Sequence, residues 1–200
     1  MKRLILCLVP TMLFFAVQGV IANEPGRGAR PPPAEVKADL KEKYRRPSEL
    51  PFPESNGYSA DKAALGKTLF FDPRLSASGE VSCASCHDPA RAWQDGLPLA
   101  KGHEGAIGQR RSPTVENLAW AAAFMWDGRA SSLEEQAAMP LTSPVEMNMP
   151  LDRLPDVVGG IAGYRPMFER AFGDGAVTQE RVLAALATFV RTITSGPLQI

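Results

Sequence analysis

Two thiols and an imidazole sit within five consecutive residues, Cys83-Ala84-Ser85-Cys86-His87, in a chain of 200 residues with only three cysteines and two histidines. Cys-x-x-Cys-His is the attachment pattern of c-type haem. The two thiols can add to the haem vinyl groups, and two intervening residues set the sulfur spacing that the porphyrin edge requires. The adjacent imidazole can then reach the iron as its proximal ligand. A thioredoxin-like redox pair would need a preceding strand in βαβ context, which the sequence lacks. A zinc site would need further ligands, and the cysteine count cannot supply them. The same counts exclude a disulfide-stapled miniprotein. The pentapeptide predicts one covalent haem c, held by Cys83 and Cys86 and ligated by His87.

The third cysteine, Cys7, belongs to a leader. Met1-Lys2-Arg3 is a basic start, and the run Leu4 to Ile21 is apolar except at Pro10, Thr11, Gln18 and Gly19. Val20-Ile21-Ala22 places compact residues where a signal peptidase reads, so residues 1–22 read as a Sec-type signal peptide cleaved after Ala22, with an uncleaved N-terminal anchor as the rival reading. Removing it leaves 20 basic against 22 acidic side chains, a formal charge of −2. No basic excess remains to argue for nucleic-acid binding. The expected location is the periplasm, with no membrane contact after cleavage.

Residues 23–56 read as a linker, because Pro25, Pro31, Pro32, Pro33, Pro47, Pro51 and Pro53 block both helices and strand ladders there. A short charged helix is expected at Ala34–Tyr44. From residue 57 to 200 the pattern is helical. Ser59 is positioned to cap a helix that ends near Phe70, with Ala64, Leu65, Thr68 and Leu69 on one face. Ser132-Leu133-Glu134-Glu135 reads as a capping box opening a helix that Pro140 stops. Helices are also expected at Leu151–Ile161 and Tyr164–Phe172, the second ended by Gly173. Thr178 should cap the strongest helix, with Val182, Leu183, Leu186, Phe189, Val190 and Ile193 at helical spacing. No alternating run argues for a sheet. The expected fold is mostly α, a cytochrome c-like helical haem domain with long Gly- and Pro-containing loops.

The sixth iron position has several candidates. His103 is the only other histidine, in Gly102-His103-Glu104-Gly105-Ala106-Ile107-Gly108, whose glycines read as a flexible loop. It is either an iron ligand or an exposed loop residue. Met125, Met139, Met147, Met149 and Met167 compete for the same role, and each is more often a core residue.

The blocks around these residues resemble the bacterial dihaem cytochrome c peroxidase and MauG family. Leu65-Gly66-Lys67-Thr68-Leu69-Phe70-Phe71-Asp72-Pro73-Arg74-Leu75-Ser76 leads into the haem motif as it does there. Asp95-Gly96, Ser112-Pro113-Thr114 with Asn117, Trp126-Asp127-Gly128-Arg129, Glu135-Gln136-Ala137 and Pro144-Val145-Glu146-Met147 follow in the family's order. The likeness runs from about Asp61 to Ser195. It implies that this domain holds the peroxidatic haem, while a second haem in a C-terminal domain receives electrons. It implies that His103 is the dissociable distal ligand, that Glu146 is the distal glutamate, and that Gln136 and Pro140 line the same pocket. Trp126 matches the tryptophan between the two haems. Arg129 either pairs with a haem propionate or is a surface arginine. Reduction of peroxide needs a group that accepts a proton and returns it to the departing oxygen. With His103 bound to iron no histidine remains for that task, so Glu146 is the candidate and Gln136 would orient peroxide.

Two departures from the family pattern matter. Arg111 stands where members with an interdomain calcium have Asn, which puts that calcium in doubt. The chain also carries a single attachment motif. The expectation is therefore an exported c-type haem oxidoreductase, possessing the peroxidatic domain and ending where a second haem domain would begin. It would reduce hydrogen peroxide with electrons from a small cytochrome or cupredoxin. The rivals are a monohaem electron carrier and a MauG-like oxidase. Without its partner domain, this chain is expected to turn over little peroxide, and the helix from Thr178 is expected to expose apolar side chains that favour self-association, for instance as a homodimer.

Overall fold

The computed structural model describes residues 38–40, 42–45 and 47–196, in two units spanning residues 1–46 and 47–200. In the first unit Ala38, Asp39, Leu40, Glu42 and Lys43 are helical. The remainder of the expected 34–44 helix and the whole leader lie outside the described residues. Among the described residues no helix is long and apolar enough to cross a membrane.

The second unit is helical, and among the described residues the only β features are isolated bridges such as Asp88 with Gln94. Its elements are α1 (Ala60–Phe70), the single turn α2 (Cys83–Cys86), α3 (Leu133–Thr142), α4 (Leu154–Gly159), α5 (Tyr164–Phe172) and α6 (Gln179–Thr192). The expected caps on the first and last are present. Ser59 Oγ accepts the Lys62 amide at 3.1 Å, and Thr178 Oγ1 accepts that of Arg181 at 3.3 Å. Gly173, at φ +88°, closes α5 in the left-handed conformation that spares glycine a Cβ clash. The expected 151–161 helix is divided into a 3-10 turn at Leu151–Arg153 and α4.

Pro140 does not stop α3, which continues to Thr142. A proline in the last turn removes one N–H, the partner of the Gln136 carbonyl, and the final turn still closes through Ser143 N–H to Met139 C=O at 3.0 Å. The expected capping box is half formed. Ser132 Oγ accepts the Glu135 amide at 3.0 Å, but the Glu135 carboxylate takes the amide and hydroxyl of Ser131 instead.

The core lies between α1 and α6, flanked by α3 and α5. Leu65, Leu69 and Phe70 of α1 meet Val182, Ala185, Leu186 and Phe189 of α6, all buried. Gly66 permits the approach, since a Cβ there would lie 1.9 Å from the Ala185 carbonyl oxygen. The expectation that α6 exposes an apolar face is therefore wrong. Val182, Leu183, Leu186, Phe189, Val190 and Ile193 are all buried within this unit, because α1 and α3 already cover them.

Two polar clusters fix the helices relative to one another. Asn56 lies at the end of the proline-rich stretch, yet it is buried. Its amide donates to Glu134 at 2.7 Å and to the Ala184 carbonyl at 2.9 Å, while its oxygen accepts from Lys62 and Thr188. Glu134 also holds Arg191 through two contacts of 2.6 and 2.9 Å, tying α3 to α6. In the second cluster buried Asp72 accepts from Arg74 and from the Tyr164 hydroxyl at 2.6 Å. Every polar atom of such a cluster needs a partner once water is excluded.

Candidate haem site

The two candidate attachment cysteines, Cys83 and Cys86, occupy one helical turn. Ser82 precedes α2, and its N–H donates to Ser85 Oγ at 3.0 Å, supplying the partner that a helix start otherwise lacks. One turn carries Cys83 and Cys86 on neighbouring positions and leaves His87 at its exit. Burial pushes the Cys83 thiol up to about 12. Burial also raises Cys86, which the nearby Asp95 and Glu146 carboxylates reinforce against a hydrogen bond from Ser112.

His87 is oriented by the loop that follows. Its Nδ1 lies 3.1 Å from the Trp93 carbonyl oxygen, so this nitrogen carries the proton and Nε2 keeps its lone pair. A histidine that binds a metal is held in this way, the backbone acceptor fixing both tautomer and ring orientation. Burial lowers the His87 pKa, against the pull of the backbone acceptors Trp93 and Pro113, and favours the neutral ligand form.

The loop bearing His103 is not the flexible segment that its glycines predict. Residues 103–105 form a 3-10 turn, and the His103 amide donates to the Glu146 carbonyl at 2.8 Å. Gly102 is buried, and a Cβ there would fall 2.2 Å from the Val145 carbonyl oxygen. Glycine serves here to let two backbones touch, so that His103 and Glu146 become neighbours. The His103 ring is mostly buried, with Nδ1 lacking any partner. Its Nε2 is 4.0 Å from exposed Glu104. Burial raises the Glu146 carboxyl, and the Arg129 guanidinium pulls it down.

The remaining predicted residues are placed more loosely. Gln136, on α3, directs its amide to Met125 Sδ at 3.9 Å. Pro140, on the same helix, accepts the Met147 amide on its carbonyl at 3.2 Å. Met147 and Met149 are core residues, and Met139 and Met167 pack against that core. Arg129 holds Asp127 at 2.7 Å and is exposed. Trp126, which taken alone would read as a core aromatic, is 59% exposed, with its indole N–H on the Arg111 carbonyl at 3.3 Å. The Arg111 guanidinium donates to Gln94 at 2.8 Å.

These residues fit a covalent haem. Two thiols one turn apart, an imidazole with its tautomer set for Nε2 ligation, and a second, mostly buried imidazole whose Nδ1 has no partner are donors of the kind that such a group takes. Sequence reasoning missed the Trp93 carbonyl and the contacts that hold it. A main-chain acceptor has no side-chain signature, though the Asp95-Gly96 and Ser112-Pro113-Thr114 blocks flank it.

Known proteins resemble this chain across the helical unit. The profile of the di-haem cytochrome c peroxidase family matches residues 60–197. A methylamine utilization protein MauG of Methylorubrum extorquens is 52% identical over 160 residues, covering 80% of this chain and 45% of the relative. A cytochrome c551 peroxidase of Nitrosomonas europaea is 43% identical over 135 residues, covering 68% and 40%. Among solved structures, a MauG-like protein associated with microbial copper homeostasis superposes with a TM-score of 0.69 at 31% identity, covering 76% of this chain and 47% of that one. The chain thus spans about half the length of the relatives it matches. With the family profile matching across the helical unit that carries the Cys83–His87 turn, the chain belongs to the di-haem cytochrome c peroxidase family.

Proposed function

We propose that this chain is the peroxide-reacting part of an exported c-type haem oxidoreductase, acting in the periplasm with a small cytochrome or cupredoxin as electron donor. Haem bound here supplies the redox centre, so that hydrogen peroxide, two electrons and two protons give two waters. Cys83 and Cys86 would hold one haem covalently, with His87 as its nitrogen donor. Any calcium would need oxygen ligands elsewhere than at Arg111, whose cationic side chain cannot provide one.

The backbone contact between His103 and Glu146 carries this reading. It makes His103 and Glu146 neighbours along the backbone, and the sequence offers no further histidine beyond His87 and His103 to move a proton. Glu146 accepts the proton of incoming peroxide and returns it to the departing oxygen, while His103 occupies or vacates the adjoining position. Gln136 orients peroxide through its amide, Pro140 lines the same side, and Arg129 supplies positive charge near Glu146. Trp126, which is exposed, would pass electrons from a second haem domain or a partner protein.

A MauG-like oxidase acting on a protein or other organic substrate is the second reading, favoured by the higher identity to MauG, 52%, than to the cytochrome c551 peroxidase, 43%. Consumption of reduced cytochrome in step with peroxide supports the first. Glu146→Gln should keep haem and fold yet slow the reaction with peroxide by roughly 10²–10⁴-fold, the usual cost of losing a positioned acid–base group. Rapid mixing would show this, and equal rates in variant and wild type would remove Glu146 from the mechanism.

A further inference from the structure

His87 is held by a loop whose backbone is costly to form. Ala92 and Trp93 lie at φ +52° and +60°, two consecutive residues in a region that side chains with a Cβ rarely enter, and a tryptophan there is a clear outlier. This left-handed pair turns the Trp93 carbonyl onto His87 Nδ1 at 3.1 Å. Strain of this kind persists only where surrounding contacts over-determine it, and here those contacts are explicit. The Trp93 indole packs edge-on against Phe70 and Phe189, with ring centroids 5.9 and 6.2 Å away. Its amide donates to the Asp88 carbonyl at 2.8 Å. From outside the loop, the Thr114 hydroxyl donates to the Ala92 carbonyl at 2.8 Å. Arg91 reaches the Asp95 carbonyl at 2.9 Å and closes the far end.

We infer that Trp93 is the positioning residue for the proximal ligand, and that Thr114 clamps the left-handed Ala92–Trp93 pair so that the Trp93 carbonyl stays on His87 Nδ1. The inference rests on His87 being the haem ligand. A firm Nδ1–H acceptor makes the imidazole a stronger electron donor and favours ferric iron. Releasing the clamp therefore weakens that donation and raises the midpoint potential. Thr114 touches neither His87 nor the attachment cysteines in any described contact, but it follows Pro113, the second backbone acceptor at His87, so Thr114→Ser is the control that separates loss of the hydroxyl from a change at that neighbour.

The test uses the full haem-loaded chain as wild type, Thr114→Val, Thr114→Ser and Ala92→Gly/Thr114→Val. Thr114→Val should retain covalent haem, shift the midpoint potential to more positive values, and speed exchange of the His87 Nδ1 proton. That exchange should quicken by on the order of fivefold, the worth of about one neutral hydrogen bond. Thr114→Ser keeps the hydroxyl and should behave as wild type. Ala92→Gly/Thr114→Val should move back toward wild type, because glycine adopts a positive φ without strain. If Thr114→Val yields no holoprotein, recovery in Ala92→Gly/Thr114→Val supports the clamp and its absence overturns it. Unchanged potential and exchange in loaded Thr114→Val also overturn it, as does a Thr114→Ser variant resembling Thr114→Val. A wild type without covalent haem would instead refute the haem reading itself.

Discussion

Gly66→Ala tests the arrangement of helices that supports the site. In an exposed helix this change gains about 1 kcal/mol, because alanine is the better helix former. Here the new Cβ would stand 1.9 Å from the Ala185 carbonyl oxygen, 2.6 Å from its carbon and 2.9 Å from Phe189 Cβ. Two of those atoms belong to the backbone, so no rotamer change relieves the clash. Reaching ordinary contact at 3.4 Å requires α1 and α6 to part by about 1.5 Å. That opens the seam between Leu65, Leu69 and Phe70 on one side and Val182, Ala185 and Leu186 on the other. Overpacking of this kind costs about 1–3 kcal/mol, and more against a backbone that cannot yield. The clash therefore outweighs propensity, and a net loss of about 2 kcal/mol or more is expected. Because Phe189 also touches Trp93, the haem spectrum should shift as well. Urea denaturation of the haem-loaded chain, followed by far-ultraviolet circular dichroism and by haem absorbance, measures both. A variant as stable as wild type, or more so, would refute the close α1–α6 approach.

Glu134→Gln removes one partner of the largely buried pair with Arg191 and should cost about 3 kcal/mol by denaturation, since an uncompensated guanidinium remains. Burial works to raise the Glu134 carboxyl, yet hydrogen bonds from Arg191 and Asn56 outweigh it and hold the value below the usual range. A carboxylate depressed on folding contributes stability that is complete above its unfolded value near about 4 and is lost as pH falls through the folded one. Wild type should thus lose more stability than Glu134→Gln below about pH 4; parallel pH curves would refute the coupling. His103→Gly should convert a six-coordinate, low-spin haem spectrum into a high-spin one, and a wild type already high-spin would remove His103 as a ligand.

Much of this architecture is legible in the sequence where the signal is local. Ser59 and Thr178 mark helix starts because an oxygen-bearing cap and a periodic apolar face fall within one element. The attachment turn is legible because its chemistry demands a fixed spacing. Misreadings arise where one residue type serves two ends. Gly102 reads as flexibility, but its missing Cβ admits the Val145 backbone. Pro140 reads as a helix stop, but it sits too near the end of α3 to do more than delete one bond. The apolar face of α6 reads as one left exposed for self-association, but α1 and α3 already cover it. Asn56 lies beyond local reading altogether, since its partners Glu134 and Ala184 are 78 and 128 residues away.

The central claim is that Cys83, Cys86 and His87 hold a covalent haem whose other side presents His103 and Glu146. Intact-mass spectrometry after acid-acetone extraction, on chain exported by a host with cytochrome c maturation, tests it most directly. The account predicts that the wild type keeps the mass of one haem through extraction and that the Cys83→Ala, Cys86→Ala double variant carries none. Haem that extracts freely from the wild type, or stays attached to the double variant, would contradict it.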